Sequence, residues 1–316
     1  MFKNNNEQQG LLWLFIVNPA AGAGLAGKKW PRQEAELKKA GVQFTVVYTQ
    51  YRFHAISLVA EAVAGGHRHI VAVGGDGTAH EVVNGIFQQS TCPPGEITFT
   101  LLPIGTGNDW IKTHGIPKNF RRWLPYFLNG KTGFQDCAWL VFQREGQVQR
   151  RYFINVAGLS YDAFVVRESQ KYPAGIPNKF IYLLLIFRCL FQFEIPRARV
   201  SFNGKTAEGL FYTINIGVCR YSGGGMQFVP QALPNDGQLA LTLVKKVNKL
   251  VVLLVTPLFY LGKIGLHPAV SLLQTGTVKI EQTDMQPILV EADGEFLGEG
   301  PVEAGIEKER LRIWLP

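Results

Sequence analysis

Residues 71–81 read VAVGGDGTAHE: a run of small β-formers breaks into two glycines, an aspartate, a third glycine and a threonine, and then turns helical. Glycine is the default residue where φ is positive or where another group must approach the backbone closely. A plain turn requires one or two. Three, with Asp76 and Thr78 among them, imply that a ligand comes close to the main chain. Beyond the loop, Ala79, Val82, Val83, Ile86 and Phe87 share one helical face, so a buried strand feeds a helix through a glycine loop.

The same alternation continues outward. LLWLFIV (11–17), VQFTVVYT (42–49) and ITFTLLPIG (97–105) read as strands, and GKKWPRQEAELKKAG (27–41) and HAISLVAEAVAGG (54–66) as helices that end in glycine. Uninterrupted apolar strands alternating with helices predict a mostly parallel sheet covered on both faces. From about Gln135 the texture changes to short alternating runs, among them RRYFINVAG, RARVSFNG, GLFYTINIG, QLALTLV, TVKIEQ and PILVEADGE. Joined by Gly, Asn and Asp turns, they predict an antiparallel β domain. A chain of 316 residues exceeds the usual single core, so two domains are expected. The boundary is placed at NGKTG, giving an α/β domain over 1–132 and a β domain over 133–305.

Lys+Arg 32 against Asp+Glu 24 gives a net charge of +8, which favours anionic partners. The basic residues are scattered and not interleaved with aromatics, which argues against nucleic acid. The four cysteines (92, 137, 189 and 219) show no paired spacing and read as reduced thiols of a cytoplasmic protein. Two apolar segments, KFIYLLLIFRCLFQF (179–193) and KLVVLLVTPLFYLGK (249–263), are too short to span a bilayer and carry Arg188 and Pro257. Both read as core helices, with a surface dipping into a bilayer interface as the alternative. No transmembrane span is expected.

Three glycine-bearing loops lie at strand ends: NPAAG (18–22), GGDGT (74–78) and PIGTGND (103–109). In a parallel sheet such loops converge at the carboxyl edge, where backbone N–H groups and a helix N-terminus cradle phosphate. The spacing is neither a Walker A nor a dinucleotide G-x-G-x-x-G. Asp76 inside the cradle would repel bare phosphate, and it fits there with a divalent cation between them or as a group that orients a hydroxyl. Asp76 also reads as an N-cap for a helix starting at Thr78.

GGDGTAHEVVNG resembles the signature loop of the diacylglycerol kinase catalytic-domain family, which includes bacterial soluble lipid kinases, sphingosine kinases and ceramide kinases. NPAAG is similar to its first nucleotide loop, LPIGTGND to its third, and DGE (293–295) to its late acidic motif. The resemblance implies an α/β nucleotide domain, an antiparallel β-sandwich domain, an active site in the cleft, and a final strand (306–316) returning to the first domain. It implies ATP contacts from Asn18, Pro19, Ala20, Ala21, Gly22, Thr49, Gly74, Gly75, Asp76, Gly77, Thr78, Ala79, His80 and Thr106. QALPNDGQL resembles a structural Mg²⁺ loop, with ligands from Leu233, Asp236 and Gln238; without the resemblance it reads as a hairpin turn. Catalytic candidates are Asp293, Glu295 and Asp76, one of the DGE pair accepting the proton of the attacking alcohol. Alternation puts residues 293 and 295 on one side of the chain, with Gly294 able to twist them apart.

Two departures stand out. His80 replaces a common Asn, and Phe53 replaces the glycine of a frequent Gly-His-Ala. A protonated His80 would add positive charge beside phosphate. The implied reaction transfers the γ-phosphoryl of ATP to a lipid hydroxyl, diacylglycerol or a related lipid, by a cytoplasmic enzyme peripheral to the membrane; a homodimer is compatible with the sequence. The alternatives are a soluble-substrate kinase akin to NAD kinases, which share GGDGT, and a non-catalytic nucleotide or lipid sensor.

Overall fold

The structure, a computed structural model, describes residues 10–105, 107–172 and 179–316. The chain begins β1 (Leu12–Val17), α1 (Leu25–Lys39), β2 (Gln43–Tyr48), α2 (His54–Ala64), β3 (His69–Gly74) and α3 (Asp76–Gln88). Next come β4 (Thr98–Pro103), α4 (Trp110–His114), α5 (Phe120–Asn129) and β5 (Lys131–Gln135). They are followed by β6 (Ala138–Arg144), β7 (Gln147–Phe153), β8 (Val156–Ser160), α6 (Tyr161–Ser169), α7 (Lys179–Gln192), β9 (Arg197–Phe202) and β10 (Lys205–Gly217). Then come the short β11 (Tyr221–Ser222) and β12 (Met226–Gln227), β13 (Leu239–Lys245) and α8 (Lys249–Tyr260). The last strands are β14 (Val270–Thr275), β15 (Thr277–Gln282), β16 (Leu289–Ala292), β17 (Glu295–Ile306) and β18 (Leu311–Leu315).

The chain divides into two compact units, residues 1–135 with 308–316, and residues 136–307. The first unit ends three residues beyond the boundary expected at 132, because β5 pairs along its length with β18. Its sheet has the order β2-β1-β3-β4-β18-β5, parallel except for β5. β3 and β4 carry long buried runs, as strands covered on both faces must, while the edge strand β2 alternates. The core is aromatic: Trp13 packs edge-on to Phe127 and Trp314, and Trp123 stacks on Phe127 at 4.6 Å.

In the second unit the thirteen-residue β10 belongs to two neighbourhoods. Its first half pairs with β9 and its second half with β8 and β13. The pairings β10–β8–β16–β17–β15–β9–β10 close a ring, from which β13–β14 and β6–β7 branch. Phe142, Phe153, Phe211, Ile214, Leu241 and Val290 lie in one buried cluster of this unit. The run RRYFINVAG, expected as one strand, breaks into β7 and β8 at Ile154 and Asn155, whose N–H groups donate to the Asp293 carboxylate. The expectation that residues 249–263 form a core helix is also corrected. No residue of α8 is buried, and Leu254 is 78% exposed.

Candidate functional site

In the first unit the strand-end loops meet because β1, β3 and β4 are parallel neighbours. Asn18 Nδ2 donates to Thr78 Oγ1 at 3.1 Å, and Asn18 Oδ1 accepts from Ala20 N–H, tying the first loop to the second. A methyl on Gly74 would lie 2.3 Å from Thr78 Oγ1, so glycine there is required by that contact. Helix α3 starts at Asp76, two residues earlier than the capping reading supposed, so Asp76 is its first residue and Gly75 takes the cap position. The Asp76 carboxylate reaches across to the third loop, accepting from Asp109 N–H at 2.9 Å and Trp110 N–H at 3.2 Å. Asn108 shapes that loop with φ +52° and donates to Gly105 O. Its Oδ1 is buried with no hydrogen-bond partner among the described residues.

Pro19, Ala20, Ala21, Gly22, Gly75 and Gly77 stay partly or fully exposed at this edge, whereas Thr49, Thr78, Ala79 and His80 are buried. His80 is 1% exposed, packed within α3, and its carbonyl accepts from Asn84 Nδ2. Thr106 lies outside the described residues. Glu81, not singled out from the sequence although it closes the signature stretch, accepts from Phe53 N–H (2.9 Å) and Ala55 N–H (3.3 Å). It thereby fixes the start of α2, where Phe53 holds φ +66°, a left-handed conformation that favours glycine.

In the second unit Asp293 and Gly294 both have positive φ (51° and 83°), forming a two-residue hairpin between β16 and β17 with Ala292 opposite Glu295. The shared side expected from alternation therefore does not apply. Asp293 is buried, and its carboxylate accepts from Ile154 N–H at 3.2 Å and Asn155 N–H at 3.0 Å. Glu295 is partly exposed and accepts from Gln170 Nε2 at 3.4 Å.

Two further acids, missed in the sequence, stand behind this turn. A methyl on Gly158 would lie 2.6 Å from Glu291 Oε1 and 2.9 Å from Asp162 Cβ, so the two flank one point of β8. Burial pushes the Glu291 carboxyl well above its usual range, opposed by bonds from Gly294 and Gly158 N–H. Burial likewise raises Asp162 to about 6, opposed by Thr213 and Asn215. The only hint was an acid in an otherwise apolar strand, Glu291 of VEADGE. Both acids line one end of a cavity of about 250 Å³. Apart from Thr213 and Asn215, its walls are largely apolar, with Leu190, Phe228, Val252 and Phe259 among them. The small accessible surface of Asp162 faces this cavity.

The turn at Leu233, Asp236 and Gln238 is held from below: Asp136 Oδ2 accepts from Gly237 N–H at 2.6 Å. Asp236 accepts from Gln238 N–H and Gln274 Nε2. Among the described residues no group of three His, Cys, Asp or Glu side chains is gathered to hold a metal ion. One carboxylate with main-chain carbonyls is still a donor set of the kind that hard cations take.

The order of these features along the chain, strand-end loops first and an acidic hairpin last, coincides with two family models. One, described as the diacylglycerol kinase catalytic domain, matches residues 12–138. The other, the YegS C-terminal NAD kinase beta sandwich-like domain, matches residues 155–315. The chain belongs to the diacylglycerol kinase catalytic-domain family. As a member of that family it is a kinase, a phosphotransferase. The diacylglycerol kinase of Staphylococcus epidermidis is 27% identical over 95% of this chain and 91% of its own, and that of Staphylococcus aureus 28% over 95% and 91%. A solved diacylglycerol kinase structure from Bacillus anthracis shares the fold, with TM-score 0.67, 18% identity and 96% of each chain covered. So does yeast NADH kinase in complex with NADH, with TM-score 0.52, 12% identity and coverage of 97% and 84%.

Proposed function

We propose that this family member is an ATP-dependent lipid kinase that transfers the γ-phosphoryl group to the hydroxyl of diacylglycerol or a related lipid at a membrane surface. The observation that carries the lipid reading is the cavity of the second unit: apolar walls suit an acyl chain, and the polar end at Asp162, Thr213, Asn215 and Glu291 suits a head group. A soluble dinucleotide acceptor has no use for such walls, which disfavours the NAD kinase-like alternative.

In this reading the loops around Asn18, Gly74–Thr78 and Gly105 hold the ATP phosphates through backbone N–H groups and the α3 N-terminus. Asp76, whose carboxylate oxygens accept from Asp109 and Trp110 N–H and which is thereby held at the loop edge, would hold Mg²⁺ there, and Leu233, Asp236 and Gln238 a second ion. Bound Mg²⁺ would neutralise charge on the phosphates. Asp293, oriented by two N–H donors, accepts the proton as the hydroxyl attacks, and Glu295 assists at the turn. The test is transfer of labelled γ-phosphate to a panel of lipids in mixed micelles, with NAD as soluble control and Asp76→Asn beside the wild type. A phosphorylated lipid absent with the variant supports the proposal; labelled NADP instead, or ATP binding with no product, overturns it.

A further inference from the structure

The second apolar segment forms a helix with no buried residue, yet almost no polar side chain. Toward the inside, α8 lines the cavity with Val252, Leu253, Thr256 and Phe259. Away from it, Leu250 and Leu254, one helical turn apart, are 63% and 78% exposed, and Leu261 and Leu266 just beyond are 63% and 76% exposed. Four leucines so exposed within seventeen residues are not the scattered single apolar residues of an ordinary surface.

Charge decides what covers them. From Lys245 to Leu266 the chain has four lysines (245, 246, 249 and 263) and no acidic residue. α7 likewise has no acid, and its exposed Phe191 packs against Lys249, whose Nζ donates to Phe191 O at 3.0 Å. Apolar side chains framed by unopposed cations match the boundary between anionic head groups and acyl chains. A twelve-residue helix is too short to cross a bilayer, and among the described residues no helix is long and apolar enough to do so.

We infer that the outer face of α8 and the turn after it, carrying Leu250, Leu254, Leu261 and Leu266, docks flat on an anionic lipid bilayer. The inference rests on the lipid-kinase reading in one respect: the same helix then separates the bilayer from the substrate cavity, and a lipid reaches the cavity past α8 without crossing water.

The test is co-sedimentation with vesicles of phosphatidylcholine alone or with about 30% phosphatidylglycerol, alongside turnover of a short-chain diacylglycerol below its micellar concentration. Wild type should bind the anionic vesicles. Leu254→Ser/Leu266→Ser should bind them at least about ten-fold more weakly, each leucine contributing a large factor when buried. Lys245→Gln/Lys246→Gln should lose about five-fold per lysine on anionic vesicles only. Turnover of the monomeric substrate should stay unchanged in both. Binding by the leucine variant equal to wild type overturns the inference. So does a wild-type dimer in sedimentation velocity that this variant dissociates, because a second copy then covers the face. Lost vesicle binding with no lipid phosphorylated by any form upholds the docking face and removes the lipid-kinase reading; unchanged binding with lipid phosphorylated does the reverse.

Discussion

Replacing Asp162 by asparagine should stabilise the protein at alkaline pH and do much less in acid. In the folded chain the Asp162 carboxyl titrates at about 6, against 3.8 for an unperturbed aspartate, because burial disfavours its charged form. The folded state therefore holds the proton more tightly than the unfolded chain. Between those two values the native state carries more bound protons, so stability falls as pH rises and levels off above about pH 7. At roughly 1.4 kcal/mol for each unit, the full loss is up to about 3 kcal/mol at pH 8, with about 1 kcal/mol already lost near pH 4.5. Asparagine does not ionise, and the Thr213 hydroxyl can rotate to serve either of its ends. The stability difference between variant and wild type should thus grow by about 2 kcal/mol from about pH 4.5 to about pH 8. Coupling to Glu291 acts in the same direction, since that carboxyl is raised partly by the charge of Asp162. Urea unfolding at the two pH values, with equal m-values for both proteins, measures the quantity. A difference that stays constant within about 0.5 kcal/mol would falsify the reasoning, and with it the placement of Asp162 in a poorly hydrated wall.

Gly74→Ala puts a methyl 2.3 Å from Thr78 Oγ1 and must push Thr78 off Asn18; a loss of about 1–3 kcal/mol in thermal unfolding is expected, with weakened ATP binding in titration calorimetry. Phe53→Gly relieves the φ +66° conformation, worth about 1–2 kcal/mol, at an entropic cost somewhat smaller; a net gain of about 0.5 kcal/mol is expected, and a loss above about 1 kcal/mol contradicts it. Asp293→Asn keeps an oxygen for one of its two N–H donors but cannot take a proton; kcat should fall about 10²–10⁴-fold with ATP affinity unchanged, read from steady-state kinetics and equilibrium binding.

What could be read along the chain was whatever is decided locally. Apart from β18, which returns from the far end of the chain to pair with β4 and β5, each strand, loop and helix of the first unit lies within a few dozen residues of its neighbour, and its periodicity and glycine stops are written in that span. The Asp76 interaction is different in kind. Its partners, Asp109 and Trp110, are more than thirty residues away, and only the parallel pairing of β3 with β4 brings them near. A cap for a helix starting at Thr78 was one local reading, and it is corrected because α3 already starts at Asp76, with Gly75 before it. Asp162 and Glu291 were harder still. Asp162 sits alone among apolar residues and Glu291 reads as an outlying acid of the DGE motif, so neither stands out along the chain, and only the folded second unit shows that both line one cavity. The DGE hairpin lay between these cases: the motif marked the place, but the positive φ of Asp293, which buries one carboxylate and leaves the other partly exposed, follows from pairing Ala292 with Glu295.

Helix α8 shows why periodicity alone misassigns such segments. KLVVLLVTPLFY is apolar on every side, and a helix of that kind has lost the one signal, an uneven distribution around its axis, that tells inside from outside. Such a helix satisfies the hydrophobic effect either in a protein core or against lipid. Burial in a core was the expectation, and the exposed leucines overturn it. Here the two sides are used differently: Val252, Leu253 and Phe259 face a cavity in the protein, and Leu250 and Leu254 face outward. A sequence selected to be apolar toward two separate environments has no polar face to give up. The absence of amphipathicity is then itself the feature to look for when a short helix, flanked by lysines and free of acids, borders a cavity suited to an acyl chain.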